Sequence, residues 1–145
     1  MKKTTKEIEN ELKHVKTHSD LKQYMEDNAI GQLQFGDRFL EICKKYCIKQ
    51  TDLLKLTAVS KAQLYAVING TRNPSKELVL KLALTAGINI DETNELLKLS
   101  GHKELYVKNK ADSIILYGLK EKKTIYEIDE LMKEYKINFT LLDKD

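Results

Sequence analysis

Residues 49–74 confine the fold of this chain more tightly than any other stretch. They run Lys49-Gln-Thr-Asp-Leu-Leu-Lys-Leu-Thr57, Ala58-Val-Ser60, Lys61-Ala-Gln-Leu-Tyr-Ala-Val-Ile-Asn69-Gly70 and Thr71-Arg-Asn-Pro74. The pattern predicts two short helices joined by a tight turn. Leu53, Leu54 and Leu56 are the apolar positions of the first helix. Leu64, Val67 and Ile68 recur at i, i+3 and i+4 in the second, so that helix buries one narrow stripe. Ser60 carries the hydroxyl of an N-cap, and Gly70 stands where a left-handed residue ends a helix. Pro74 drives Asn73 out of the helical region, so Thr71 to Asn73 is a loop. Two short helices around a three-residue turn form a helix-turn-helix unit, whose second helix fits a DNA major groove.

These residues also resemble a family, the lambda-repressor-like Cro/XRE helix-turn-helix proteins. Gln50 opens the first helix, Ser60-Lys61-Ala62 opens the second, and Asn69-Gly70-Thr71-Arg72-Asn73-Pro74 is similar to that family's N-G-x-R-x-P tail. Leu82-Ala83-Leu84-Thr85-Ala86-Gly87-Ile88 resembles its following helix end. The likeness covers about residues 35–101 and implies an all-α, five-helix core that binds double-stranded DNA. It departs at Leu54, where a small residue is usual, and at Ala58, where glycine is usual. Both departures suggest a slightly wider turn.

Charge is distributed unevenly. Residues 44–81 hold Lys44, Lys45, Lys49, Lys55, Lys61, Arg72, Lys76 and Lys81 against Asp52 and Glu77, a net +6, whereas the whole chain is +3. Positive charge therefore collects on the motif, where phosphate neutralisation would need it. A lysine-rich surface that happens to cluster is the plainer reading. No apolar run approaches a bilayer span and the amino terminus lacks the apolar core of a leader, so a cytoplasmic protein without membrane contact is expected.

The rest of the chain reads as helices around this block. Residues 1–34 form an amino-terminal helical arm. Its first helix runs over Thr5 to Lys16, with Ile8, Leu12 and Val15 on one face. Its second starts at Ser19 or Asp20, carries Leu21, Tyr24 and Met25, and is broken by residues 28–31. The arm either pairs with a second copy or straps onto its own domain; three apolar positions favour the strap. Phe35 to Tyr46 buries Phe35, Phe39, Ile42 and Cys43. Ser75 caps a helix to Ala86, ended by Gly87. Asp91 to Ser100 holds Leu96, Leu97 and Leu99 inside, with Glu92, Glu95 and Lys98 outside. Residues 102–145 form a carboxy-terminal helical hairpin and tail. There Leu105, Tyr106 and Val107 are a buried plug, Lys110 to Lys120 and Thr124 to Tyr135 are helical, and Ile137 to Leu142 is a strand-like apolar tail. Ile90 to Lys98 aligns with Ile125 to Lys133 at an offset of 35, with Val79-Leu80 on Ile114-Ile115 and Leu84 on Leu119. A repeated helical hairpin accounts for this, as does chance likeness between two amphipathic helices.

Catalysis is not expected. Histidine occurs only at 14, 18 and 102, and no phosphate-binding loop, dinucleotide fingerprint or nucleophile elbow is present. No cofactor is called for. His14/His18 and Cys43/Cys47 are two i, i+4 pairs that together could hold zinc, but reduced thiols filling apolar space explain the cysteines better, and no metal site is expected.

DNA contacts can be assigned by position. With Leu64, Val67 and Ile68 buried, Ala62, Tyr65, Ala66 and Asn69 fall on the opposite face, flanked by Lys61 and Gln63. The resemblance implies that Lys61, Ala62 and Ala66 read bases, with Gln63 and Tyr65 beside them. Tyr65 packed on a neighbouring helix is a nearly equal alternative. Lys49, Gln50 and Thr51 at the first helix start, with Asn69, Arg72, Asn73 and Lys76, are the phosphate candidates; Asn69 can equally serve only to end its helix. Ala62 and Ala66 offer a methyl and no hydrogen bond, so specificity per copy is expected to be low and a homodimer is favoured. The expected function is a DNA-binding transcriptional regulator. The alternative is a helical protein-interaction module, antitoxin-like or an adaptor, that holds a protein partner through the carboxy-terminal hairpin.

Overall fold

The computed structural model describes residues 4–27 and 34–139, and among these the chain is all-helical. It divides into two compact units, Met1–Leu33 and Gln34–Asp145. The first holds α1 (Thr5–Leu12) and α2 (His18–Asp27), packed together with no residue of either helix buried. The Thr4 hydroxyl caps α1 through the Glu7 amide. α1 is shorter than expected, and α2 begins earlier, because Thr17 takes the cap: its hydroxyl accepts from the Asp20 amide at 3.0 Å. The expected break at residues 28–31 lies outside the described residues.

The second unit comprises α3 (Phe35–Lys45), α4 (Gln50–Thr57), α5 (Lys61–Ile68), α6 (Lys76–Ala86), α7 (Ile90–Leu99), α8 (Lys110–Glu121) and α9 (Ile125–Glu134). One apolar core runs through all seven helices, from Phe35, Phe39 and Ile42 through Leu64, Val79, Leu82 and Leu96 to Ile115, Ile128 and Met132. α3 packs on α5 and α7, α4 on α6, α8 on α6 and α7, and α9 on α6 and α8. The 35–101 block and the hairpin after it therefore share a core. Local signals set the helix starts. Ser60, Ser75 and Asn109 cap α5, α6 and α8 through their side-chain oxygens. Asn89 with Glu92 and Thr124 with Glu127 form reciprocal capping boxes on α7 and α9.

The offset of 35 is carried into the backbone. Gly87 and Lys122 are both left-handed where α6 and α8 end, and Gly101 and Lys136 are both left-handed after α7 and α9. The closing bonds repeat too: the Ile88 amide donates to Ala83 as Lys123 does to Gly118, and His102 to Leu97 as Ile137 does to Met132. The capping boxes match at the same spacing. The two hairpins thus share stops, closing bonds and the second helix's capping box at one spacing, as a repeated hairpin would, while the caps of their first helices, Ser75 and Asn109, stand 34 residues apart.

Four expectations change. Leu56 is 54% exposed, because α4 turns Leu53, Thr57 and, in part, Leu54 towards the core. Of the proposed plug only Leu105 is buried; Tyr106 and Val107 face outward. In the tail, Ile137 and Phe139 pack against the core without forming a strand, and residues 140–142 lie outside the described residues. Glu92 is buried instead of outward, where its carboxylate accepts from Lys45 Nζ at 2.7 Å and from the Tyr46 hydroxyl.

Burial alone would raise the Glu92 pKa. The bonds from Lys45, Tyr46 and the Asn89 amide outweigh it, so the carboxyl lies below the ordinary 4.5. A group with a depressed folded pKa stabilises above its unfolded value and loses that contribution as pH falls through the folded one. The stability gap between wild type and Glu92→Gln is therefore expected to be widest at neutral pH and to shrink below about pH 4.5. Urea unfolding at neutral pH and at about pH 3 measures it; a gap that stays constant across that range contradicts the assignment.

Candidate nucleic-acid interface

The α4–α5 pair is joined by Ala58, Val59 and Ser60. Ala58 is left-handed, with φ 59°, a region an alanine enters at a cost of roughly 1 kcal/mol that glycine avoids. The alanine thus keeps the backbone turn that glycine would supply. Buried Thr57 tightens it: its hydroxyl donates to the Leu53 carbonyl at 2.6 Å and accepts from the Val59 amide at 3.3 Å. Val59 is buried behind the turn.

α5 is oriented from behind by α3. Gly36 lies in the first turn of α3, where an added Cβ would sit 1.8 Å from the Ile68 carbonyl oxygen. The two backbones meet at that point, and only a residue without a side chain permits it. With Leu64 and Val67 buried, α5 turns Lys61, Ala62, Tyr65 and Asn69 outward and leaves Gln63 and Ala66 half-exposed. Tyr65 is 44% exposed, and the Lys61 ammonium sits 5.5 Å from its ring centroid. The ring belongs to the outward face instead of packing beneath a neighbouring helix. Lys61 and Tyr65 form one cationic, aromatic edge.

The phosphate candidates divide. Lys49, Thr51 and Arg72 are exposed, with Gln50 half-buried at the start of α4, whose cap position Lys49 makes no side-chain bond to the helix amides. Asn69 is committed to its own turn, its Oδ1 accepting from the Thr71 amide at 2.9 Å and from the Thr71 hydroxyl. Asn73 Nδ2 donates to the Ser100 carbonyl at 2.8 Å, tying the loop to the end of α7. Lys76 Nζ lies 2.9 Å from Asp112 Oδ1, in α8.

That pair changes the role of Lys76. Asp112 is buried, and its other oxygen accepts from the Tyr106 amide. Lys76→Ala leaves a buried carboxylate with one donor fewer, so it is expected to cost about 2 kcal/mol in urea unfolding while changing DNA affinity less than about twofold. A large affinity loss without a stability loss would return Lys76 to the phosphate set.

The basic cluster thins in the same way. Lys45 is paired with Glu92, Lys76 with Asp112, and Lys81 is buried. Lys44, Lys49, Lys55, Lys61 and Arg72 remain exposed.

Sequence reasoning missed Gly36, Thr57 and the residues that close the far side of the loop. Arg72, Asn73 and Gln63 line a cavity of about 500 Å³ together with Glu77, His102, Asn138 and Phe139. His102 Nε2 is 2.8 Å from the Pro74 carbonyl oxygen, fixing the loop before α6. Gly36 carried a signal, a glycine between core-facing Phe35 and Phe39. The approach of residues 138–139 to Arg72 had none.

Cys43 is buried, which pushes its thiol up to about 11, and Cys47 is exposed at the left-handed residue after α3. Among the described residues no group of three or more His, Cys, Asp or Glu is placed to hold a metal ion. None of the described helices is long and apolar enough to cross a membrane. Comparison with protein-family models, with curated proteins and with solved structures gives no match.

Proposed function

We propose that α3 to α7 form a lambda-repressor-like helix-turn-helix core of the Cro/XRE type, and that this chain is a DNA-binding transcriptional regulator. α5 enters the major groove. Lys61, Ala62, Gln63, Tyr65 and Ala66 face the bases, and Lys49, Gln50, Thr51 and Arg72 hold phosphates. Lys61 and Gln63 are the side chains able to pair with a base edge, while Ala62 and Ala66 offer only methyl contact with thymine. Few base contacts per copy favour a homodimer spanning two half-sites.

One observation carries this reading: the face of α5 opposite Leu64 and Val67 leaves Lys61, Ala62 and Tyr65 exposed, and exposed Arg72 follows in the loop, its amide donating back to the Ala66 carbonyl. A polyanion is the ligand such a face suits.

The test is a titration of duplex DNA over a range of salt concentrations. Affinity is expected to fall as salt rises, with a log–log slope of about 0.9 for each phosphate held. No binding at low salt would defeat the proposal. The second reading, a helical protein-interaction module, is favoured by a separate apolar surface on α8 and α9.

A further inference from the structure

α8 and α9 leave an open groove between them, a cavity of about 550 Å³ floored by Val107, Ile114, Tyr117, Leu131, Tyr135 and Ile137. Tyr117 is 47% and Tyr135 60% exposed, an apolar and aromatic surface of the kind interfaces use. Lys108 and Lys110 stand at its edge, and among the described residues no carboxylate lines it.

The repeat indicates what kind of body fits there. Ile114, Tyr117 and Leu131 stand 35 residues after Val79, Leu82 and Leu96, each of which is 0% exposed. The α6–α7 hairpin has helices packed on it from both directions in the chain, α3 and α4 before it and α8 and α9 after it. Of these positions, all fully covered in the first hairpin, Tyr117 is exposed and Ile114 and Leu131 are only half-buried in the second. A hairpin at the end of a helical stack keeps the face that an interior hairpin gives to its neighbours.

We propose that the α8–α9 groove docks an acidic amphipathic helix of a partner protein. Apolar side chains at i, i+3, i+4 and i+7 of that helix fill the floor between Ile114, Tyr117 and Leu131. Its carboxylates meet Lys108 and Lys110, and a basic helix is turned away by the same lysines. This surface is separate from the DNA reading and stands if that reading fails.

The probe is a labelled amphipathic peptide of about 20 residues, with leucine every three or four positions and glutamate between. Its fluorescence anisotropy is followed against the full chain. Binding is expected to weaken at least about tenfold in Tyr117→Glu and to drop also in Lys110→Glu, but to persist in Arg72→Glu. Both groove variants alter solvent-facing side chains, and unchanged thermal unfolding confirms that they fold. Four results would overturn the proposal. The acidic peptide fails to bind. A version with lysine for glutamate binds as well. Binding is lost in Arg72→Glu and not in Tyr117→Glu, which would mean that the peptide imitates a polyanion on α5. Or the chain self-associates and Tyr117→Glu dissociates it, which would mean that a second copy fills the groove.

Discussion

Arg72→Glu is expected to weaken duplex binding at low salt by about tenfold, to lower the salt slope by about one, and to do so alike on any sequence. Arg72 is exposed in the loop after α5, and none of the ion pairs that hold Lys45 and Lys76 involves it. Lys61→Glu should cost a similar factor at low salt, and in addition flatten any preference among sequences, because Lys61 opens the groove-facing edge beside Tyr65. Among the described residues the two side chains share no partner, so the double substitution should cost about a hundredfold. Electrophoretic mobility or anisotropy on a fixed duplex measures all three. Affinities unchanged in both single variants would remove α5 from the interface, even with the fold intact.

The other large effect is structural. Gly36→Ala is expected to destabilise the second unit by about 3 kcal/mol or more, a substantial fraction of the 5–15 kcal/mol typical of a domain. On an ordinary helix the same change stabilises by roughly 0.5–1 kcal/mol, since alanine loses less chain entropy. The sign is reversed here because the added Cβ would lie 1.8 Å from the Ile68 carbonyl oxygen, which is backbone and cannot rotate aside. α3 and α5 must separate, and Leu64 and Val67 lose packing with them. Gly118→Ala is a useful contrast. There the nearest atom is the Ile128 side-chain terminus at 2.4 Å, which can move, so a smaller loss is expected. Urea midpoints for the two variants decide the order. A neutral or stabilising Gly36→Ala would mean that α5 is not seated against α3 as described.

These two predictions are coupled through α5. Its outward edge can present Lys61 and Tyr65 because Gly36 lets its inward edge come close to α3. A Gly36→Ala protein that still folds at low temperature should bind DNA less well than its folded fraction alone accounts for.

What the sequence alone determined is what depends on near neighbours in the chain. Ser60, Ser75 and Thr124 start helices through bonds spanning three residues. The offset of 35 was readable because Ile, Glu, Glu, Leu and Lys recur in place between residues 90–98 and 125–133; the matching stops and closing bonds came from the structure. The apolar stripes of α3 and α5 were readable because a helix needs only one face covered, whatever covers it; α6 buries every residue from Leu78 to Leu84, Lys81 included, which needs neighbours on all sides.

What only the tertiary structure decided is which groups meet across long intervals. Glu92 is buried because Lys45 and Tyr46 are there to satisfy it, 47 and 46 residues earlier. Lys76 leaves the phosphate set because Asp112 lies opposite, 36 residues later. Leu56 and Val107 are left outside, and Tyr117 stays exposed and Ile114 and Leu131 half-buried although their counterparts in the first hairpin are fully covered. A helix's own pattern records which face is apolar or charged; it holds no record of what another segment brings to that face, and that pairing sets the free energy of each buried charge and exposed ring.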